Sequence, residues 1–223
     1  QYQRGDHARA LADFDRAIQL NPTFFLAYLN RGVVRGVVED FDGAISDNTK
    51  TIELNPRFAQ AWYNRGLARM KQGNLAAALA DLNQAIKLDP NSPIANGTRG
   101  AGKFTLRDYE CALSDCNEEL RLNPTNAQAW CDRGATRAAI GELDSAREDF
   151  NQALRLDPTL ATAYFGRAAI WKEKEEWERA LSDYNRCLAN EPQFADAFGQ
   201  RGLVHLRLGR EAAAQRDFAA CLS

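Results

Sequence analysis

The chain has 223 residues, 26% of them charged and 45% hydrophobic, with a formal net charge of −2; this is the composition of an ordinary folded protein, and it offers no global field to nucleic acid or an anionic membrane. No apolar run approaches the ~20 residues that a bilayer span needs, and the opening QYQRGDHARA has neither an initiator Met nor an apolar leader, which reads as a fragment or a trimmed chain. Five cysteines without a C-x-x-C pair argue against a disulfide framework or a zinc site; they read as small buried thiols in a reducing, hence cytoplasmic, compartment.

Pro22, Pro56, Pro90, Pro124, Pro158 and Pro192 stand 34 residues apart, and only Pro93 lies off the grid. A fixed period of this size is the signature of a repeat architecture. With the periodic proline at repeat position 32, complete repeats run 25–58, 59–92, 93–126, 127–160 and 161–194. Residues 1–24 form a partial repeat, residues 195–223 a nearly complete one, and the whole is expected to be a single domain over 1–223. Each repeat should hold an A helix at about positions 1–14 and a B helix at about 16–30, with a breaker and cap between them and a proline that cannot continue helix B.

In chain order, the partial repeat gives a B helix over 7–20 behind the breaker pair Gly5-Asp6. That helix lacks most of its own partner, so another chain or domain should cover it, and copies could associate end to end through it. Repeat 25–58 departs from the pattern at Asn48 and Thr51. Repeat 59–92 turns at Gly73-Asn74, and its AALADLNQAIKL puts Leu79, Leu82, Ala85 and Ile86 on one stripe. Repeat 93–126 contains GTRGAGKFT, which begins like a phosphate-binding G-x-x-x-x-G-K-[ST] loop. Phe104 stands where that motif needs Ser or Thr, and LDPNSPIAN before it is a helix end and a turn rather than a strand, so the nucleotide reading is set aside. Gly97 and Gly102 should each cost a helix interior ~1 kcal/mol, which makes this A helix the weakest expected. Its Asn96-Gly97-Thr98 sequon falls on a helix and is discounted. Repeat 127–160 turns at Gly141-Glu142. The last helix carries Glu211 and Gln215 at usually apolar positions, as a terminal cap would.

Across the repeats, position 3 is alanine six times and position 20 seven times, from Ala10 to Ala214. Position 8 is glycine except at Ala168. Position 4 is aromatic in Tyr28, Trp62, Trp130, Tyr164 and Phe198, with Asn96 the exception, and position 24 is apolar or aromatic in Phe14, Phe150, Tyr184 and Phe218. Small residues let helices approach closely, and the aromatic fills the space beside them. This pattern resembles the tetratricopeptide repeat family along the whole chain. It departs from the family at position 11, often tyrosine, where Arg35, Arg69, Lys103, Arg137, Trp171 and His205 stand. It departs again at Asn48 and Cys116 in position 24, and at Thr51 and Glu119 in position 27. The resemblance implies an all-α, right-handed superhelical solenoid of antiparallel helix pairs.

Position 7 is arginine in all six repeats that have one (Arg31, Arg65, Arg99, Arg133, Arg167, Arg201), and position 23 is aspartate in all seven (Asp13, Asp47, Asp81, Asp115, Asp149, Asp183, Asp217). Antiparallel helices set these positions level, so an Arg–Asp ladder is expected, with Arg65 on Asp47 or Asp81. Its role would be register rather than chemistry, at ~0.2–1 kcal/mol per partly exposed pair. Arginine at position 7 with a base at position 11 is a like-charge i,i+4 pair, which the aspartates could offset.

Catalysis finds no support. His7 and His205 are far apart, neither sits in a recognisable catalytic or metal-binding motif, and no cofactor, metal or small-molecule substrate is called for. The family resemblance implies a concave groove lined by helix A positions 2, 5, 6, 9, 12 and 13. Here that lining includes Leu29, Asn30, Val33, Tyr63, Asn64, Leu67, Met70, Phe104, Cys131, Asp132 and Phe165. It is mostly apolar, and positions 2 and 5 carry no base, so the carboxylate clamp found in some members is not expected. Asn30 and Asn64 resemble position-6 asparagines that hold peptide backbone in other members. The expected function is a non-enzymatic scaffold that binds a protein or peptide in this groove. The leading alternative is a regulatory module cut from a larger multidomain protein. A helical-repeat RNA reader is the third reading, disfavoured by the near-zero net charge, and no membrane partner is expected.

Overall fold

The computed structural model describes residues 4–221, with side chains from Asp6 onward. Residues 1–3 and 222–223, the outer ends of the two partial repeats, lie outside the described residues. The described residues form thirteen α-helices and no strand. The B helices are α1 (Arg4–Leu20), α3 (Phe41–Leu54), α5 (Leu75–Leu88), α7 (Tyr109–Leu122), α9 (Leu143–Leu156), α11 (Trp177–Asn190) and α13 (Glu211–Cys221). Between them run the A helices α2 (Phe25–Val37), α4 (Ala59–Lys71), α6 (Pro93–Thr105), α8 (Ala127–Ala139), α10 (Ala161–Glu173) and α12 (Ala195–Arg207). The chain divides into two compact units, Gln1–Arg107 and Asp108–Ser223. In each, successive helices pack as antiparallel A/B pairs, a helical-repeat architecture.

The helix boundaries follow from local chemistry. Position 15 adopts the left-handed backbone in the six repeats after the first: Gly73, Gly141 and Gly209 have φ of 80°, 87° and 70°. Glu39, Arg107 and Glu175 take the same conformation, at 64°, 61° and 59°, although a side chain there is disfavoured by ~1–2 kcal/mol. The turn is therefore set by the helices it joins, not by glycine alone. One residue later, Asp40, Asn74 and Asp108 accept the backbone N–H of Gly43, Ala77 and Cys111 and cap helix B. At the N-terminal end the expectation fails: α1 begins at Arg4 and runs through Gly5 and Asp6, so this pair is helical and makes no turn.

Packing explains the small residues. The position-3 alanines from Ala27 to Ala197 and the position-20 alanines from Ala44 to Ala214 are at most 2% exposed. Position-8 glycine lets helix A lie on helix B: a Cβ on Gly66 would sit 3.1 Å from Leu82 Cγ and 3.2 Å from Ala78 O, and one on Gly202 would sit 2.6 Å from Phe218 Cε1. Three of the position-4 aromatics reach back to the periodic proline. Trp62 and Trp130 donate Nε1–H to the carbonyls of Pro56 and Pro124 at 2.9 and 2.8 Å, and Tyr164 donates its hydroxyl to Pro158 O at 3.2 Å. Asn96 replaces this aromatic with a short bond from Nδ2 to Ser92 O, 3.0 Å. The GTRGAGKFT stretch lies inside α6, which is 13 residues long like the other A helices, with Ser92 capping it and Pro93 in its first turn. Gly102 has a packing reason, since a Cβ there would come within 3.0 Å of Met70 Cε and 3.1 Å of Leu79 Cδ2.

Candidate functional site

Arg31, Arg65, Arg133, Arg167 and Arg201 each place Nε and Nη2 on the two oxygens of the aspartate in their own repeat (Asp47, Asp81, Asp149, Asp183 and Asp217), at 2.6–3.0 Å. These aspartates are only 2–5% exposed and the arginine side chains 12–19%, so the forks are part-buried, charge-assisted pairs with a buried carboxylate at the centre of each. Of the two partners offered to Arg65, it takes Asp81 and not Asp47. The rung to the preceding repeat comes from Nη1 and ends elsewhere, on position 25: Asp15, Thr49, Asn83, Asn117, Asn151 or Asn185, at 2.6–3.1 Å. The polar run at position 25 was the missed signal. Asp115 is buried like its counterparts, whereas Asp13 in α1 is exposed. Arg31, held chiefly by its hydrogen bond to Asp47, has its guanidinium pKa raised further.

Position 11 adds a further group at five of the nodes. Arg35, Arg69 and Arg137 donate Nη1–H to Asp47, Asp81 and Asp149 at 2.8–2.9 Å, so one buried carboxylate offsets both arginines of the like-charge pair. Trp171 donates Nε1–H to Asp183 at 3.1 Å, and His205 Nε2 lies 3.8 Å from Asp217. Burial pushes the His205 pKa below its ordinary value, against the pull of Asp217. The guanidinium groups of Arg31, Arg65, Arg133, Arg167 and Arg201 also cover their own position-4 rings, from 4.6 Å for Arg133 over Trp130 to 5.6 Å for Arg167 over Tyr164.

On the other side of the A helices lie the expected lining residues. In the first unit, Asn30 and Val33 are exposed, and Tyr63, Asn64, Leu67 and Met70 are half-buried. Leu29 is 7% exposed and packs with Ile52 and Ala61, so it supports this face from beneath without being presented on it. Tyr63 Oη stands 3.5 Å from Thr98 Oγ1, and Phe104 is 36% exposed. A cleft of about 340 Å³ opens between α2, α3 and α4, with Val33, Phe41, Asn48, Asn64 and Leu67 in its walls.

In the second unit a cleft of about 390 Å³ lies between α8, α9 and α10, lined by Cys131, Asp132, Phe150, Phe165 and Gly166. Cys131 is buried, its Sγ–H on Thr162 Oγ1 at 3.6 Å, and burial raises its pKa to about 12; Cys116 is raised to about 12 in the same way. Such thiols are protonated and poor nucleophiles. Phe165 is half-buried, stacked on Phe194 at 4.9 Å and edge-on to Tyr184 at 5.8 Å, so it is a core residue that shows one side. Burial raises the Asp132 carboxyl and, with Asp132 nearby, raises Glu119 to about 7, while Asn126 donates to Glu119 at 2.8 Å. Among the described residues, no group of three or more His, Cys, Asp or Glu is placed to hold a metal ion, and no helix is long and apolar enough to cross a membrane.

Family models described as tetratricopeptide repeat or TPR repeat match residues 1–36, 59–92 and 127–160. No curated protein matches the sequence. Solved structures share the architecture. A crystal structure of the APC/C hetero-tetramer Cut9–Hcn1 superposes with a TM-score of 0.86 at 16% identity, over 98% of this chain and 43% of that one; this chain thus spans less than half of that neighbour. A tetratricopeptide repeat protein from Parabacteroides merdae gives a TM-score of 0.79 at 21% identity, over 98% and 86% of the two chains. YrrB, described as a TPR protein with an unusual peptide-binding site, gives 0.67 at 23% identity, over 82% and 95%.

Proposed function

This chain belongs to the tetratricopeptide repeat family, and on that footing we propose that it is a protein-interaction scaffold that holds an extended protein or peptide segment on its A-helix faces. One observation carries the proposal. The large apolar residues left exposed on A helices are Leu26, Val33, Val37, Ile94, Phe104, Leu203 and Leu206. All seven fall at positions 2, 9, 12 or 13, the positions that line the family's groove. On B helices the exposed large apolar residues are Leu20 and Leu156, each near a helix end. In each unit taken by itself, apolar surface presented on the A helices suits a partner more than water.

Function here needs no reacting group, and the Arg–Asp nodes hold the A helices in register. Affinity capture from lysate of the source organism tests the reading, with the wild type beside a Val33→Glu, Leu203→Glu variant. Both residues are exposed, so the variant keeps its fold by circular dichroism. A partner retained by the wild type and lost by the variant supports binding on the A-helix faces; a partner kept equally by both contradicts it.

A further inference from the structure

The first-unit cleft differs from its counterpart in the second unit at many lining positions, and the largest change of chemistry is at the residue beneath the A-helix face. In the second unit this is Phe150, 1% exposed. Its ring lies 3.0 Å from where a Cβ on Gly134 would stand, and a Cβ on Gly166 would overlap it. The matching residues in the first unit are Asn48, Gly32 and Asn64. Asn48 comes as close to helix A, its Nδ2 2.8 Å from where a Cβ on Gly32 would stand, but it puts an amide where the ring stands, in a cleft of about 340 Å³ whose walls include Val33, Val37, Phe41 and Leu67. Gly36 keeps one wall open, since a Cβ there would meet nothing within 4 Å.

The two amides are oriented by their neighbours. Asn48, 1% exposed, donates Nδ2–H to Ala44 O at 2.8 Å. Its Oδ1 is buried and accepts from no group among the described residues. Asn64 accepts from Gln60 Nε2 at 2.8 Å through its own Oδ1, which leaves a buried Nδ2 that donates to none. Two residues of the cleft wall therefore carry one orphan acceptor and one orphan donor, each closed to solvent until its amide turns toward a bound group. Its charged residues, Glu39 and Lys71, are both exposed. A buried polar group left unpaired is costly, and a ligand that pairs it recovers that cost.

We propose that this cleft is a specificity pocket for a primary carboxamide, the side chain of Gln or Asn in a bound peptide; the inference rests on the A-helix face being the peptide-binding surface. A carboxamide supplies an N–H for Asn48 Oδ1 and a C=O for Asn64 Nδ2 within one planar, uncharged group. A carboxylate has no donor for Asn48, an ammonium has no acceptor for Asn64, and an aliphatic side chain leaves both unpaired. A site of this kind discriminates strongly against analogues that lack the hydrogen-bonding groups.

The test is selection from a random heptapeptide library on the full 223-residue chain, in parallel with Asn48→Leu, which installs the residue type that Leu82 provides one repeat later. The expected result is one peptide position enriched in Gln or Asn on the wild type and shifted to Leu or Met on the variant. Synthetic peptides with Gln or Met at that position should then invert their Kd ratio, by about tenfold or more in each direction. Peptides selected without any residue preference that Asn48→Leu alters would overturn the pocket, water alone filling it, and leave the peptide-binding face standing. No peptide selected by either chain would overturn both. Should Asn48→Leu fail to fold, a Gln, Glu and Met series on the wild-type chain decides: Gln must bind about tenfold tighter than the other two, and equal affinities refute the pocket.

Discussion

The two units use one repeat frame over different floors. In the second unit Phe150 and Tyr184 stand at position 24, at most 1% exposed, within a continuous core that runs from Cys131 to Val204. In the first unit the same position holds Phe14, Asn48 and the fully buried Leu82, so the amide floor is confined to one repeat, and Leu29, Ile52 and Ala61 form a small separate cluster. What the frame requires is the alanine, glycine, arginine and aspartate set, present in both. What fills the layer under the A-helix face is left free, and its filling decides the chemistry of the cleft there, an aromatic ring in a cleft of about 390 Å³ in the second unit and an amide in one of about 340 Å³ in the first.

The largest expected effect breaks this comparison directly. Phe150→Ala should cost ~3–5 kcal/mol, as for a large buried aromatic, while Asn48→Ala should change stability by less than ~1 kcal/mol, because it also removes an unpaired buried acceptor. Denaturant unfolding of the two variants measures both. Next come the aspartate nodes. Asp149→Ala leaves Arg133 and Arg137 without their shared buried carboxylate and should cost ~3–5 kcal/mol; Asp13→Ala, in exposed surroundings, should stay within ~0.5 kcal/mol. Equal losses would mean that the forks contribute no more than a surface residue.

A third contrast is in pH. Burial raises Glu119 in the second unit to about 7 from 4.5, so the folded state keeps a proton that the unfolded chain has released. Stability should fall as pH rises from about 4.5 to about 7, by on the order of 1 kcal/mol or more, and Glu119→Gln should flatten the slope. Thermal unfolding across that range gives the answer, and a slope unchanged in the variant would assign it to other groups. The smallest effect lies within the first unit. Residues 94–105 of α6, with their extra glycines, should exchange amide protons faster than residues 60–71 of α4; equal protection would show that the packing of Gly102 against Met70 and Leu79 offsets the helix cost.

Much of this was legible in the sequence because it recurs. A period of 34 residues exposes the alanines, the position-8 glycines and the Arg–Asp register without any structure. Features carried by mixed chemistry were hidden. The position-25 rung uses Asp15, Thr49 and Asn83 interchangeably, since a guanidinium needs only an oxygen there. The left-handed Glu39, Arg107 and Glu175 carry no glycine to announce them. Gly5 reads as a breaker by type but lies inside α1, where its neighbours decide. Asn48 stood out as a departure from the repeat, yet its meaning depends on Gly36 and Asn64, one on the preceding helix and one on the next, which only the packed structure brings to one cleft.

The most direct test of the account is photo-crosslinking of the captured partner from single benzophenone positions, at Val33 and Leu203 on A helices and at Glu53 and Arg155 on B helices, all four exposed. The account predicts adducts from Val33 and Leu203 and none from Glu53 and Arg155. Adducts from the B-helix positions alone would place the partner on the opposite surface and contradict it.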